Sequence, residues 1–155
     1  MSQVNRSQVI RKTAIITGAS SGIGLASVQA LHKAGYRVFG TSRRSSTVLG
    51  DAGTLLTCDI TDEASVAAMV KSVLEETGRI DLLVNNAGFG ISGGAEESSI
   101  AQAQDLFDVN LFGVIRAIRA VLPTMRAQKS GRIINISSVL GLIPAPYMAL
   151  YAASK

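Results

Sequence analysis

The feature that most constrains the fold is a glycine-rich stretch, Thr17-Gly18-Ala19-Ser20-Ser21-Gly22-Ile23-Gly24, set between an apolar run and a helical pattern. Ala14-Ile15-Ile16 ahead of it suits a short buried strand. Behind it, residues 25–34 read as a helix, with apolar positions recurring at Ile23, Ala26, Ala30, Leu31 and Ala34. Gly35 stands where a left-handed residue would end that helix. The glycines therefore fill a strand-to-helix turn. Side chains at Gly18, Gly22 and Gly24 would hold a ligand off the backbone. Without them, main-chain N–H groups and the helix N-terminus can approach a pyrophosphate. The spacing is Gly-x3-Gly-x-Gly, not Gly-x-Gly-x-x-Gly, and a tight turn without a ligand is the plain alternative.

The pattern then alternates. Residues 36–40 read as a second strand that ends at Thr41-Ser42-Arg43-Arg44. In a doubly wound fold a carboxylate at this point bonds the ribose 2′-hydroxyl and repels a 2′-phosphate. Here Ser42 and Arg43 occupy the neighbourhood. A guanidinium offers a permanent charge and a planar fork suited to phosphate, which favours NADP(H) over NAD(H). Two solvated loop arginines are the alternative. Residues 45–53 read as loop, and residues 54–58 as a third strand closing on Asp59. Thr61 is placed to cap the next helix, with Asp62 and Glu63 at its positive end. Val66, Met69, Val70, Val73 and Leu74 mark its buried face, and Gly78 ends it. Residues 80–84 form a fourth strand running into Asn85-Asn86-Ala87-Gly88. This alternation implies a three-layer α/β architecture, a parallel sheet covered on both faces.

Residues 89–99 are rich in glycine and serine and read as a loop. A long helical region spans about 100–129, with a break near 108–110. Residues 109–125 are apolar almost all round, so one face is expected on the sheet and another on a partner chain. Pro123 removes the bond to Arg119 and is expected to bend the last turns. Residues 132–136 form a fifth strand that delivers Ser137 and Ser138 at its carboxyl end, where such sheets bind ligands. Pro144 and Pro146 stiffen the loop before Tyr151-Ala152-Ala153-Ser154-Lys155.

Composition narrows the function classes. A chain of 155 residues suits one domain with one sizeable core, and 47% hydrophobic residues argue against disorder. No apolar run approaches the ~20 residues of a membrane helix. Residues 1–12 are polar and basic and lack the apolar centre of a signal peptide. Cys58 is the single cysteine, which leaves no intrachain disulfide and fits a reducing cytoplasm. One cysteine and one histidine, His32, do not make an ordinary zinc site, so no metal is expected. The net charge of +4 is scattered and tryptophan is absent, so nucleic acid is not an expected partner. A phosphate-bearing cofactor accounts for part of the positive excess.

In the order and spacing of its motifs the chain resembles the short-chain dehydrogenase/reductase family. The motifs are Thr17-Gly18-x3-Gly22-x-Gly24, Asn85-Asn86-Ala87-Gly88, Asn110, Ser138 and Tyr151-x3-Lys155, and the likeness covers residues 12–155. The resemblance implies a Rossmann-type doubly wound sheet in the order 3-2-1-4-5, a nicotinamide cofactor, and carbonyl–alcohol interconversion on a small molecule. It implies cofactor contacts from Gly18, Ser20, Ser21, Gly22, Ile23 and Gly24 in the turn. Ser42, Arg43, Asp59 and Ile60 would serve the adenosine end; Asn86, Ala87, Gly88, Tyr151 and Lys155 would serve the rest. Asn110, Ser138, Tyr151 and Lys155 take the catalytic roles. Members of the family continue past this motif with a helix, two strands and a substrate-covering segment. The chain is therefore expected to be one dinucleotide-binding domain lacking its C-terminal portion, inactive alone, from a homodimeric or homotetrameric parent. A truncated dinucleotide-binding fragment without catalysis is the alternative. Ketosteroid, acyl-thioester, sugar and retinoid carbonyls all remain open as substrates.

The spacing has a chemical reason. A phenol holds its proton too tightly to exchange it readily at neutral pH, and an ammonium beside it favours the phenolate. Tyr151 and Lys155 share one face of a helix. By resemblance Lys155 also bonds the nicotinamide ribose, Ser138 orients the substrate carbonyl, and Asn110 positions a water leading to Lys155. Tyr147 has no lysine at the same spacing and reads as a decoy. Ser137 competes with Ser138, but alternation along the strand points it to the other face.

Overall fold

A strand buried on both faces has no polar alternation, and Thr13–Ile16 (β1) is buried at all four positions, as a central parallel strand must be. The structure, a computed structural model, describes residues 11–44, 49–143 and 145–155. Residues 1–10, 45–48 and 144 lie outside the described residues, and with them part of the 45–53 loop and Pro144. The remaining strands are Arg37–Ser42 (β2), Thr54–Thr57 (β3), Leu82–Asn85 (β4) and Arg132–Asn135 (β5). All pair in parallel, in the order β3-β2-β1-β4-β5. The expected topology is therefore the observed one.

The period-two alternation of β1 divides the core. Ile15 lies beside Phe39 and Leu83 in the register, and this row packs under Glu63–Thr77 (α2) and Val114–Gln128 (α4) through Val66, Val73, Ala117 and Val121. Ala14 and Ile16 face the other way, with Val38 and Val84, and meet Gly22–Lys33 (α1) through Val28. Three layers result. The lower end of the sheet is held by Asp81, whose carboxylate accepts the Thr13 N–H at 2.8 Å and two Arg79 N–H groups at 2.8 and 2.7 Å.

Two local expectations are corrected. Ile23 does not belong to the buried stripe of α1: it is 63% exposed, and Ala26 and Ala30 are exposed too. Gly24 lies against the Gly18 carbonyl, which turns Leu25, Val28 and Leu31 toward the sheet and Ile23 outward. Thr61 does not cap α2. Asp62 does, accepting from the N–H groups of Ala64 and Ser65, because the Thr61 hydroxyl and N–H are both taken by Asp59 Oδ1.

The long helical region is continuous but not uniform. Ile100–Phe107 (α3) opens on a reciprocal Ser99–Gln102 capping box. The expected break appears as a wide π turn, Asp108–Gly113, leading into α4, which runs through Pro123. The apolar character of residues 109–125 resolves into a buried face at Ala117, Val121 and Met125 and exposed residues at Leu111 and Phe112 in the π turn and Ile115 in α4. After β5 come a 3-10 turn, Val139–Gly141, and the short helix Ala149–Ala153 (α5).

Candidate active site

The glycine turn crosses from β1 to α1 at the carboxyl end of the sheet, and each glycine has its own reason. Gly18 has φ 67, and a Cβ there would stand 2.8 Å from the Ala87 Cα. A Cβ at Gly24 would stand 2.2 Å from the Gly18 carbonyl oxygen and 2.6 Å from Asn86 Nδ2. Both positions are dictated by protein packing rather than by room for a ligand. Only Gly22, with φ 54, has open space where a side chain would stand. Asn86 closes the turn from β4: its Nδ2 donates to the carbonyls of Thr17 and Gly18, both at 3.0 Å. Thr17 Oγ1 in return accepts the N–H groups of Asn86 and Ala87. Asn85 instead donates to Asn135 Oδ1, tying β4 to β5.

The turn opens onto a cleft of ~730 Å³, within the ordinary size range of small-molecule sites. The N-terminus of α1 faces it with no side-chain cap and no acidic residue in its first turn, whereas α2 and α3 are capped by Asp62 and Ser99. Uncapped N–H groups at the positive end of a helix suit an anion. At one end of the cleft stand Ser42, Arg43 and Arg44, with the Ser42 hydroxyl accepting the Arg44 N–H. Asp59 and Ile60 form the adjoining wall. The N–H and then the hydroxyl of Thr61 hold the Asp59 carboxyl below its ordinary range, with Arg43 and Arg116 adding smaller contributions. Burial pushes the Cys58 thiol up, so this wall residue stays protonated and is a poor nucleophile.

At the other end stand Tyr151 and Lys155, on and just after α5. Lys155 Nζ lies 5.8 Å from the Tyr151 ring centre and donates to the Ile136 carbonyl at 3.2 Å. Two glycines make the approach possible. A Cβ at Gly88 would come within 3.0 Å of Asn110 Oδ1 and 3.2 Å of Lys155 Nζ, and one at Gly90 would rest 3.4 Å from the Tyr151 ring. Asn110, in the π turn, is 6% exposed. Its Oδ1 accepts the Phe89 N–H at 3.0 Å, and its Nδ2 donates to the Phe89 carbonyl and to Ser154 Oγ, both at 2.9 Å. Asn110 thus sits behind the cleft wall with both amide hydrogens engaged. Ser138 Oγ accepts the Leu140 N–H and caps the 3-10 turn; Ser137 lines the cleft and donates to the Lys155 carbonyl. Tyr147 lies apart at an exposed position with φ 63.

Sequence reasoning missed several lining residues, among them Thr41, Phe89, Val109, Ile136 and Met148. None has a local signal; each reaches the cleft because its strand or loop ends there. It also missed Ser154, whose partner is forty-four positions away.

The order 3-2-1-4-5, with a glycine turn and a cleft at the carboxyl ends of its strands, defines a Rossmann-type α/β unit. The short chain dehydrogenase family model matches residues 12–155, and the chain belongs to that family. It is 43% identical over 141 residues to 3-ketodihydrosphingosine reductase of Bacteroides thetaiotaomicron, covering 91% of this chain and 52% of that protein. It is 40% identical over 157 residues to human retinol dehydrogenase 8, covering 93% of this chain and 50% of the relative. Among solved structures, a short-chain dehydrogenase from Streptomyces avermitilis superposes with a TM-score of 0.88 at 38% identity, over 94% of this chain and 56% of that one. An NAD+-bound xylitol dehydrogenase superposes at 0.89 with 28% identity, over 96% and 61%. The chain thus spans about half the length of the curated relatives it matches.

Proposed function

We propose that the chain carries the cofactor site and the acid–base pair of an NADP(H)-dependent oxidoreductase that interconverts a carbonyl and a secondary alcohol. The observation that carries this reading is that the uncapped N-terminus of α1 and the Tyr151–Lys155 pair open onto one cleft. The α1 N–H groups bind the pyrophosphate, Arg43 takes the 2′-phosphate, and Lys155 holds the nicotinamide ribose. The nicotinamide, when bound, supplies or accepts the hydride. Tyr151 Oη gives its proton to the carbonyl oxygen, or takes it back from the alcohol, while the Lys155 ammonium steadies the phenolate. Ser138 orients the carbonyl by the family resemblance.

For the substrate, two relatives are named for 3-ketodihydrosphingosine and retinol. The apolar Val109, Ile136 and Met148, which line the cleft with Tyr151, support an apolar carbonyl compound. The exposed Leu111, Phe112 and Ile115 support self-association. The test of cofactor choice is a calorimetric titration with NADPH and NADH. Arg43→Ala should weaken NADPH by about tenfold, the worth of one exposed charge-assisted bond, and leave NADH nearly unchanged. Equal losses for both refute the preference.

A further inference from the structure

Tyr151 and Lys155 must keep a fixed relation to each other and to the cleft they line. Among residues 149–155 only Ser154 is buried, at 7% exposure. Its hydroxyl donates to the Tyr151 carbonyl at 2.8 Å and accepts from Asn110 Nδ2 at 2.9 Å. The Ser154 N–H reaches the same Tyr151 carbonyl at 3.0 Å. Asn110 is itself clasped twice by the Phe89 backbone. One connected path therefore runs from the loop after β4, through the π turn, to the backbone that carries Tyr151 and, one bond further on, Lys155. Two serines inside helices behave differently. Ser27 and Ser72 return their hydroxyls to the carbonyl four residues back at exposed positions, with no partner from another element.

We infer that Ser154 is a positioning residue: it bolts α5 to Asn110 and so sets the placement of Tyr151 relative to Lys155, an inference that rests on the acid–base role proposed above. The hydroxyl has one hydrogen and two lone pairs, and the site uses the hydrogen and one lone pair. Removing it leaves a buried Asn110 N–H without an acceptor and takes from the Tyr151 carbonyl one of its two hydrogen bonds, leaving only that from the Ser154 N–H. The glycine turn and the α1 N-terminus lie on other elements and keep their own bonds, so the pyrophosphate end of the site is untouched and the effect falls on proton transfer more than on cofactor binding.

The experiment compares Ser154→Ala and Ser154→Thr in the full-length enzyme with the wild type. Turnover of a carbonyl panel and NADPH affinity are measured across pH, together with spectra of isotope-labelled tyrosine. The Tyr151 signal is assigned as the one that disappears in Tyr151→Phe. In Ser154→Ala, kcat should fall by about tenfold or more, since a small misplacement of a reacting group has effects of this order. The pH profile of kcat should shift, NADPH affinity should stay within about twofold, and the Tyr151 signal should move while that of Tyr36 does not. Ser154→Thr, which keeps the hydroxyl, should recover most of the lost turnover. An unmoved Tyr151 signal with wild-type kcat overturns the inference. So does an equal fall in kcat and NADPH affinity with an unchanged pH profile, which marks a merely structural serine. If the wild type reduces nothing, the proposed function fails, and the Tyr151 signal still decides the role of Ser154.

Discussion

Gly24→Ala tests how the cofactor turn is built. The new Cβ would stand 2.2 Å from the Gly18 carbonyl oxygen, where contacts under 3.0 Å are essentially never seen. Gly18 cannot retreat freely, because it holds φ 67 and its own open side stands 2.8 Å from the Ala87 Cα. The strain passes to Asn86 Nδ2, at 2.6 Å from the new methyl, and breaks its bonds to the carbonyls of Thr17 and Gly18. Two lost hydrogen bonds at ~1 kcal/mol each and an overpacking penalty of ~1–3 kcal/mol are offset by ~1 kcal/mol of better helix propensity. The net loss of ~2–4 kcal/mol is a large fraction of an ordinary domain's ~5–15 kcal/mol. Gly22→Ala meets no atom within 4 Å and carries only the ~1–2 kcal/mol of a left-handed residue with a side chain. Urea unfolding followed by circular dichroism, with NADPH titration at low temperature, separates the two. Gly24→Ala should lower the midpoint more than Gly22→Ala, and it should weaken NADPH as well, because the displaced Gly18 lines the cleft. A Gly24→Ala midpoint equal to the wild type, or less affected than Gly22→Ala, refutes the packing argument.

Tyr151→Phe removes one hydroxyl and little volume, so in the full-length enzyme turnover should fall by at least about a hundredfold, the ordinary worth of a general acid, with NADPH affinity retained; substantial residual kcat shows that the proton comes from elsewhere. Asp81 is held below the ordinary carboxylate range, first by its hydrogen bonds from Arg79 and further by the Thr13 N–H, against the opposing effect of burial. A depressed folded-state value means that its stabilisation is present above ~pH 4 and is lost as the pH falls through the lower folded value. The wild-type urea midpoint should therefore drop more steeply than that of Asp81→Asn between about pH 5 and pH 2, and parallel curves exclude this source of acid sensitivity.

What could be read in the sequence was whatever is written locally. The glycine spacing, the apolar runs of β1 and β4, the Gly78 stop and the Tyr151-x3-Lys155 interval each need only a few neighbours to be recognised, because turns and helix faces are short-range geometry. Their succession also determined the three-layer plan, since parallel strands joined by helices have few ways to bury both faces. The helix start at Asp62 was misread by one residue because Thr61 and Asp62 are equally good caps until Asp59 engages one of them. Ile23 was misread because the phase of α1 is set by the contact of Gly24 with Gly18, not by the apolar pattern. The tertiary structure alone decided which glycine serves packing and which faces open space. It alone brought Thr17 to Asn86, Asp81 to Thr13, and Asn110 to Phe89 and Ser154. These are hydrogen bonds between strand ends, loops and turns far apart in sequence. A polar side chain's local context says that it needs a partner, and only the closed sheet says which one.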